Sequence, residues 1–322
     1  MRSFVYLALI LGYGAWCVCG LARGRVPLPA NEPTRWACSL AALALLAAVL
    51  SPRGGAATSA WAAMAVGLCL FPAATLLSED ERRRVEAFVR FAGWVLVLVA
   101  AHQRFNGLQR PLSTYSSPDG FAGAILLLIP FAARGGDFAL TAGLVLCLWW
   151  SHSVGAWMGL SIALLTHRRS VGSFAFWAGA VAGFTTLVIA YSRLGSPEVT
   201  QRGEWWSAAW RMAPYAHHYF LQTAAECGWP YLALWIVGLA LLMRRAEPAR
   251  RFGPVAALVQ GLWDFPLGLP GVFWLFCLSA AWTLPESERV VAVPSRFKIP
   301  ATAAVVALVV LAATQVGVWA AK

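Results

Sequence analysis

Residues 216–243 read AHHYFLQTAAECGWPYLALWIVGLALLM. From His217 onward this is one apolar segment, longer than the roughly 20 residues a helix needs to cross a hydrocarbon core of about 30 Å. Two histidines stand at its mouth, and Gln222 and Glu226 follow inside it. Apolar residues need no special account in such a segment. Titratable groups at and below a bilayer surface are costly, and by default they mark a site. The stretch therefore sets both the fold class, a membrane helix bundle, and the place where chemistry is sought.

The rest of the chain agrees with that class. It has 322 residues, of which 60% are hydrophobic and 12% charged, about half the charged fraction of a soluble domain. Apolar runs near 3–22, 36–50, 59–77, 86–102, 118–133, 137–151, 154–167, 172–191, 217–243, 253–266, 269–284 and 299–320 predict an all-α polytopic bundle of about 11–12 spans. The polar stretches between them are too short to bury a core. Residues 1–322 thus read as a single transmembrane domain with short outer loops. The first run is read as a retained span rather than a cleaved leader, because no small-residue cleavage pattern follows it.

The formal charge of +11 is placed as a membrane protein places it. Alternating the spans puts sixteen positive side chains on one side and eight on the other, with Arg90 inside a span. The richer side is cytoplasmic by the positive-inside rule, and a nucleic-acid partner is excluded by the same scatter. Five of the eight outer positives, Arg104, Arg110, Arg193, Arg202 and Arg211, fall in two loops, 103–117 and 192–217. Arginine kept on the disfavoured side is a candidate phosphate ligand, since its planar fork matches phosphate oxygens. The alternative is contact with lipid headgroups by snorkelling.

Five groups of residues remain. Seven cysteines lie in apolar runs with no metal-ligand or disulfide spacing, so they read as small hydrophobes. Trp205, Trp206 and Trp210 read as a short interfacial helix ended by Pro214. Ser117-Pro118-Asp119 reads as an N-cap, a proline at the first helical position and an acid in the first turn. His217, at a helix N-terminus whose dipole disfavours imidazolium, stays neutral near pH 7 and can act as a general base; a histidine bonded to headgroups is the competing reading. His218, Gln222 and Glu226 recur every fourth residue on one face, with Glu226 expected to pair across the bundle and Pro230 to bend the helix.

With these residues named, the chain resembles the O-antigen ligase and polymerase family of bacterial inner-membrane proteins. Ala216, His217, Leu221, Gln222, Glu226 and Gly228 match the family's histidine block. Arg110, Thr114, Tyr115 and Pro118 match an upstream arginine-containing opening, Arg202 and Trp206 the stretch before the histidine, and LWDFPLG around Asp264 a later aspartate segment. The likeness runs over a core of about 110–284. Val154 stands where the family has an arginine, and Asp119 and His218 where asparagine is usual.

The resemblance implies a bundle of the GT-C-like glycosyltransferase kind and a metal-independent, cofactor-free reaction at the periplasmic face. The donor would be a glycan on undecaprenyl diphosphate, bound by Arg110, Arg202 and Arg211, and the acceptor a lipid- or protein-linked hydroxyl such as a lipid A-core sugar. His217 would be catalytic. Membrane lipids are the other expected partners. Polymerisation of the same glycans, or a non-catalytic relative or transporter, are the alternatives that this reading leaves open.

Overall fold

A computed structural model describes residues 32–50, 54–115, 117–171 and 218–284, with shorter stretches within 15–29, 181–186 and 290–310. The described elements run in chain order as strand β1 (Arg25–Pro29), then helices α1 (Glu32–Leu50), α2 (Gly54–Thr75), α3 (Glu79–Phe105), α4 (Pro118–Arg134), α5 (Phe138–Ser151) and α6 (Val154–Val171). After the undescribed stretch come α7 (Tyr219–Cys227), α8 (Trp229–Arg245), α9 (Phe252–Gln260), α10 (Pro270–Ala281) and strand β2 (Val290–Ala292). The helical bundle expected from sequence is present. Beside the helices, the short strands β1 and β2 pair antiparallel, Val26 opposite Val291. Both strands come from polar stretches that the charge pattern puts on the same side.

Local chemistry explains several helix ends. Ser117 accepts a hydrogen bond from the Gly120 amide at 3.0 Å, with Pro118 opening α4 and Asp119 in its first turn, as the sequence predicts. Asp137 does the same for α5 through the Leu140 amide. Ser78 and Glu81 form a reciprocal capping box at the start of α3, satisfying amides that a helix leaves unpaired. Arg82 is 6% exposed and donates to the carbonyls of Leu77 and Thr75. It thereby closes the C-terminus of α2 with a charge matched to the helix dipole.

Helix α4 is the centre. Every residue from Gly120 to Ile129 is buried, the all-round burial of a helix with neighbours on each side. One cluster packs Phe121, Ile125, Leu126 and Phe131 of α4 against α3, α5, α6 and α9. The other joins α1, α2, α7, α8 and α10 around Trp235, Phe273 and Phe276. Close approach is achieved with small residues: a Cβ at Gly159 of α6 would lie 2.3 Å from the carbonyl oxygen of Ala256 in α9. Helix pairs brought together by small residues are common in membranes.

Among the described residues one helix, α3, is long and apolar enough to cross a membrane; Met64–Thr75, α5, Val154–Thr166 and α10 are shorter apolar helices. The 217–243 run is not one helix. It breaks at Gly228, whose φ of +85° is open to glycine at little cost, and restarts with Pro230 in the first turn of α8. Sequence reading expected a bend at Pro230; the structure interrupts the helix two residues earlier.

Candidate functional site

The ends of α3, α4, α5, α6, α7 and α9 near the 103–117 loop are linked by hydrogen bonds. The loop itself is folded around Gln103. Its Oε1 accepts from the amides of Leu112 and Ser113, at 3.0 and 2.8 Å, and its Nε2 donates to the Ser113 carbonyl. Ser113 has a φ of 50°, a left-handed conformation unfavourable for a side-chain-bearing residue. Its hydroxyl donates to the Leu96 carbonyl at 2.9 Å, so a buried network holds that strained backbone. Tyr115 then stacks on Phe121 of α4.

Arg110 is fixed by two elements at once. Its Nε donates to the Ser151 carbonyl, 2.9 Å away at the end of α5, and its Nη2 lies 3.5 Å from Asp119 Oδ1 in the first turn of α4. Both side chains of that pair are partly exposed, 26% and 29%. The guanidinium is therefore oriented by protein contacts and still reaches the surface, which is what an anion-binding arginine requires.

From Asp119 the connection continues inward. Its carbonyl accepts from Gln260 Nε2 at 2.9 Å; Gln260 is 0% exposed. The Gln260 carbonyl accepts from the Asp264 amide, and the Asp264 carbonyl from the Tyr219 amide, each at 2.9 Å. Gly123 makes room for this glutamine: a Cβ there would lie 3.1 Å from Gln260 Oε1 and 2.5 Å from Pro266. The Gly261 carbonyl also accepts from Tyr219, so the start of α7 is seated on the turn that follows α9.

His218 caps α7. Its Nδ1 accepts from the Leu221 amide at 3.2 Å, so that nitrogen is an unprotonated acceptor in this arrangement. The structure thus gives His218 a helix-ending role. Glu226 does not pair across the bundle as expected; its Oε1 accepts from Gln222 Nε2 one turn earlier on α7.

Of the residues singled out by sequence, Arg110 is described and stands at this end of the bundle. His217, Arg202 and Arg211 lie outside the described residues, as do Arg193, Glu204 and Trp206. Asp264 is buried at 4% exposure and belongs to the connection between Gln260 and Tyr219. Sequence reasoning missed Gln103 and Gln260. A single glutamine at a helix end gives no periodic or motif signal, and only the fold shows that both organise the loop and helix that carry Arg110. Among the described residues no three His, Cys, Asp or Glu side chains gather into a metal-binding cluster.

Compared with protein families, curated proteins and solved structures, the chain finds no match.

Proposed function

We propose that the chain is a multi-pass inner-membrane protein that transfers a glycan from undecaprenyl diphosphate to an acceptor hydroxyl at the outer face. The membrane half of this reading is supported by surface chemistry. Phe88, Phe91, Val95, Leu98 and Phe105 form a stripe along α3, each between 41% and 83% exposed, and Phe138 and Trp149 of α5 are exposed as well. Soluble monomers rarely leave so much apolar surface in water; lipid chains would cover it. The shorter apolar helices then cross with loops and caps completing the span.

The observation that carries the catalytic half is the bonded path from Arg110 to Tyr219. Arg110, Asp119, Gln260, Asp264 and Tyr219 are joined in sequence by one ion pair and three hydrogen bonds. Tyr219 follows the two histidines directly in the chain. Arg110 and the His218-capped start of α7 therefore share one end of the bundle, although they are about a hundred residues apart.

The chemistry follows from those residue types. The acceptor oxygen attacks the anomeric carbon of the donor sugar, the bond from that carbon to the diphosphate oxygen breaks, and undecaprenyl diphosphate leaves. Arg110, with Arg202 and Arg211, stabilises the charge that develops on the leaving diphosphate. Neutral His217 takes the acceptor proton. Asp119 and Ser151 hold the Arg110 guanidinium so that no reorientation is needed as charge builds.

The test is transfer by the purified full chain in lipid nanodiscs, given an undecaprenyl-diphosphate-linked glycan and lipid A-core as acceptor. A gain in acceptor mass equal to the glycan is expected. Intact donor and unchanged acceptor, with a folded protein, would overturn the assignment.

A further inference from the structure

We infer that the Gln222–Glu226 face of α7 lines a water-filled cleft, open at the outer surface, that binds the hydroxyl groups of a polyol, the acceptor sugar of the proposed transfer. The inference rests on the membrane reading above and adds to it a site for the second substrate.

Two observations at one depth carry it. Glu226 lies eight residues after His218, about 12 Å along the helix at 1.5 Å per residue. Its side chain is exposed rather than packed in the bundle, and its hydrogen-bond partner is Gln222 on the same helix. Polar side chains at such depth face protein, another polar group or water, because hydrocarbon solvates them at high cost. Protein covers this one only in part.

The second observation is the backbone. α7 ends at Cys227 and α8 starts at Trp229, so the helix is interrupted immediately below Glu226. Pro230 has no amide hydrogen, so the Glu226 carbonyl loses the donor that a continuous helix would offer. Trp229 and Pro230 are exposed here. Irregular backbone at membrane depth is tolerated where it is buried in protein or lines a water-filled cavity. An exposed carboxyl and an exposed helix break at the same level both call for water.

Ligand class follows from the pair. The Gln222 carboxamide holds the Glu226 carboxyl from one turn away, and the carboxyl keeps further lone pairs as acceptors. Neighbouring hydroxyls of a sugar ring offer the complementary donors. A phosphate is a poor fit, since Glu226 would oppose it. The cleft therefore suits the neutral acceptor, and the arginine end of the bundle the anionic donor.

The experiment places a cysteine at Glu226, and separately at the exposed neighbour Ala225 in case Glu226→Cys folds poorly. Spheroplasts are treated with a membrane-impermeant cationic methanethiosulfonate, and labelling is compared with that of the wild-type chain. Labelling above wild type from the outside is expected for both variants. Labelling only after detergent would overturn the cleft, as would a disulfide-linked dimer, which would assign this face to a second copy of the chain.

In the transfer assay, Gln222→Leu and Glu226→Leu should raise KM for the acceptor about tenfold or more, the loss expected for hydrogen bonds to a charged group, with donor KM unchanged. An unchanged acceptor KM would overturn the polyol assignment. The labelling arm needs no catalysis. Labelling without any wild-type transfer would therefore reject the proposed function while retaining the cleft.

Discussion

The side-chain amide of Gln260 donates to the carbonyl of Asp119 across 2.9 Å and 141 residues of sequence. Gln260 is fully buried, and its Oε1 has no hydrogen-bond partner. One side chain thus fixes the C-terminus of α9 to the first turn of α4, where Asp119 meets Arg110. Replacing it by leucine removes the donor and leaves the Asp119 carbonyl with its partner inside α4 alone. Gln260→Leu should lose about 0.5–1.5 kcal/mol, seen as a lower thermal midpoint in detergent, and should weaken donor binding more than Asp119→Asn does. An unchanged midpoint would show that the link contributes nothing to the assembly of this end.

Packing between α6 and α9 gives a second expectation. The Cβ introduced by Gly159→Ala would fall 2.3 Å from the Ala256 carbonyl oxygen, which is backbone and moves only if a helix moves. Overpacking of this kind costs about 1–3 kcal/mol. Gly107→Ala, where no atom lies within 4 Å of the new Cβ but φ is +93°, should cost less. Thermal unfolding of the two variants side by side checks the order.

Much of this was legible in the chain. Ser117-Pro118-Asp119 announces the start of α4 because capping is local chemistry that three consecutive residues carry by themselves. Helices α4, α5 and the first part of α6 fall close to the apolar runs for the same reason: their boundaries coincide with polar turns. What was not legible depends on distant partners. Gln103 organises the 103–117 loop through contacts with Leu112 and Ser113, and Gln260 reaches α4; neither has a sequence pattern. Residue 228 was harder still. The eye goes to Pro230, whose missing amide disturbs a helix by known rules, yet the chain uses the conformational freedom of Gly228 to break it outright. Glu226 was expected to seek a partner across the bundle, but Gln222 lies one turn away and is reached without crossing to another helix.

Arg110 should matter to transfer more than to folding. In the proposed mechanism Arg110→Ala removes a donor to the leaving diphosphate, a class of loss that costs about 10²–10³ in rate. Arg110→Lys keeps the charge without the planar fork that bonds Ser151 and Asp119 together, so it should recover only part of the activity. Turnover of the three proteins under saturating acceptor checks this; equal rates would remove Arg110 from the donor site.

The metal-independent character of the proposed reaction has its own check. Transfer should survive incubation with EDTA, because the proposal assigns the charge on the diphosphate to arginines. Loss of transfer on chelation, restored by magnesium or manganese, would require a different mechanism.

The most direct test of the account separates the two adjacent histidines. His218 caps α7 through Nδ1, and asparagine is among the best N-cap residues, so His218→Asn should keep the helix and near-normal transfer. His217→Ala should insert and fold normally while losing about 10²–10⁴ in rate, the usual cost of removing a general base. Near-normal transfer by His217→Ala, with loss in His218→Asn, would contradict the central claim that His217 takes the acceptor proton.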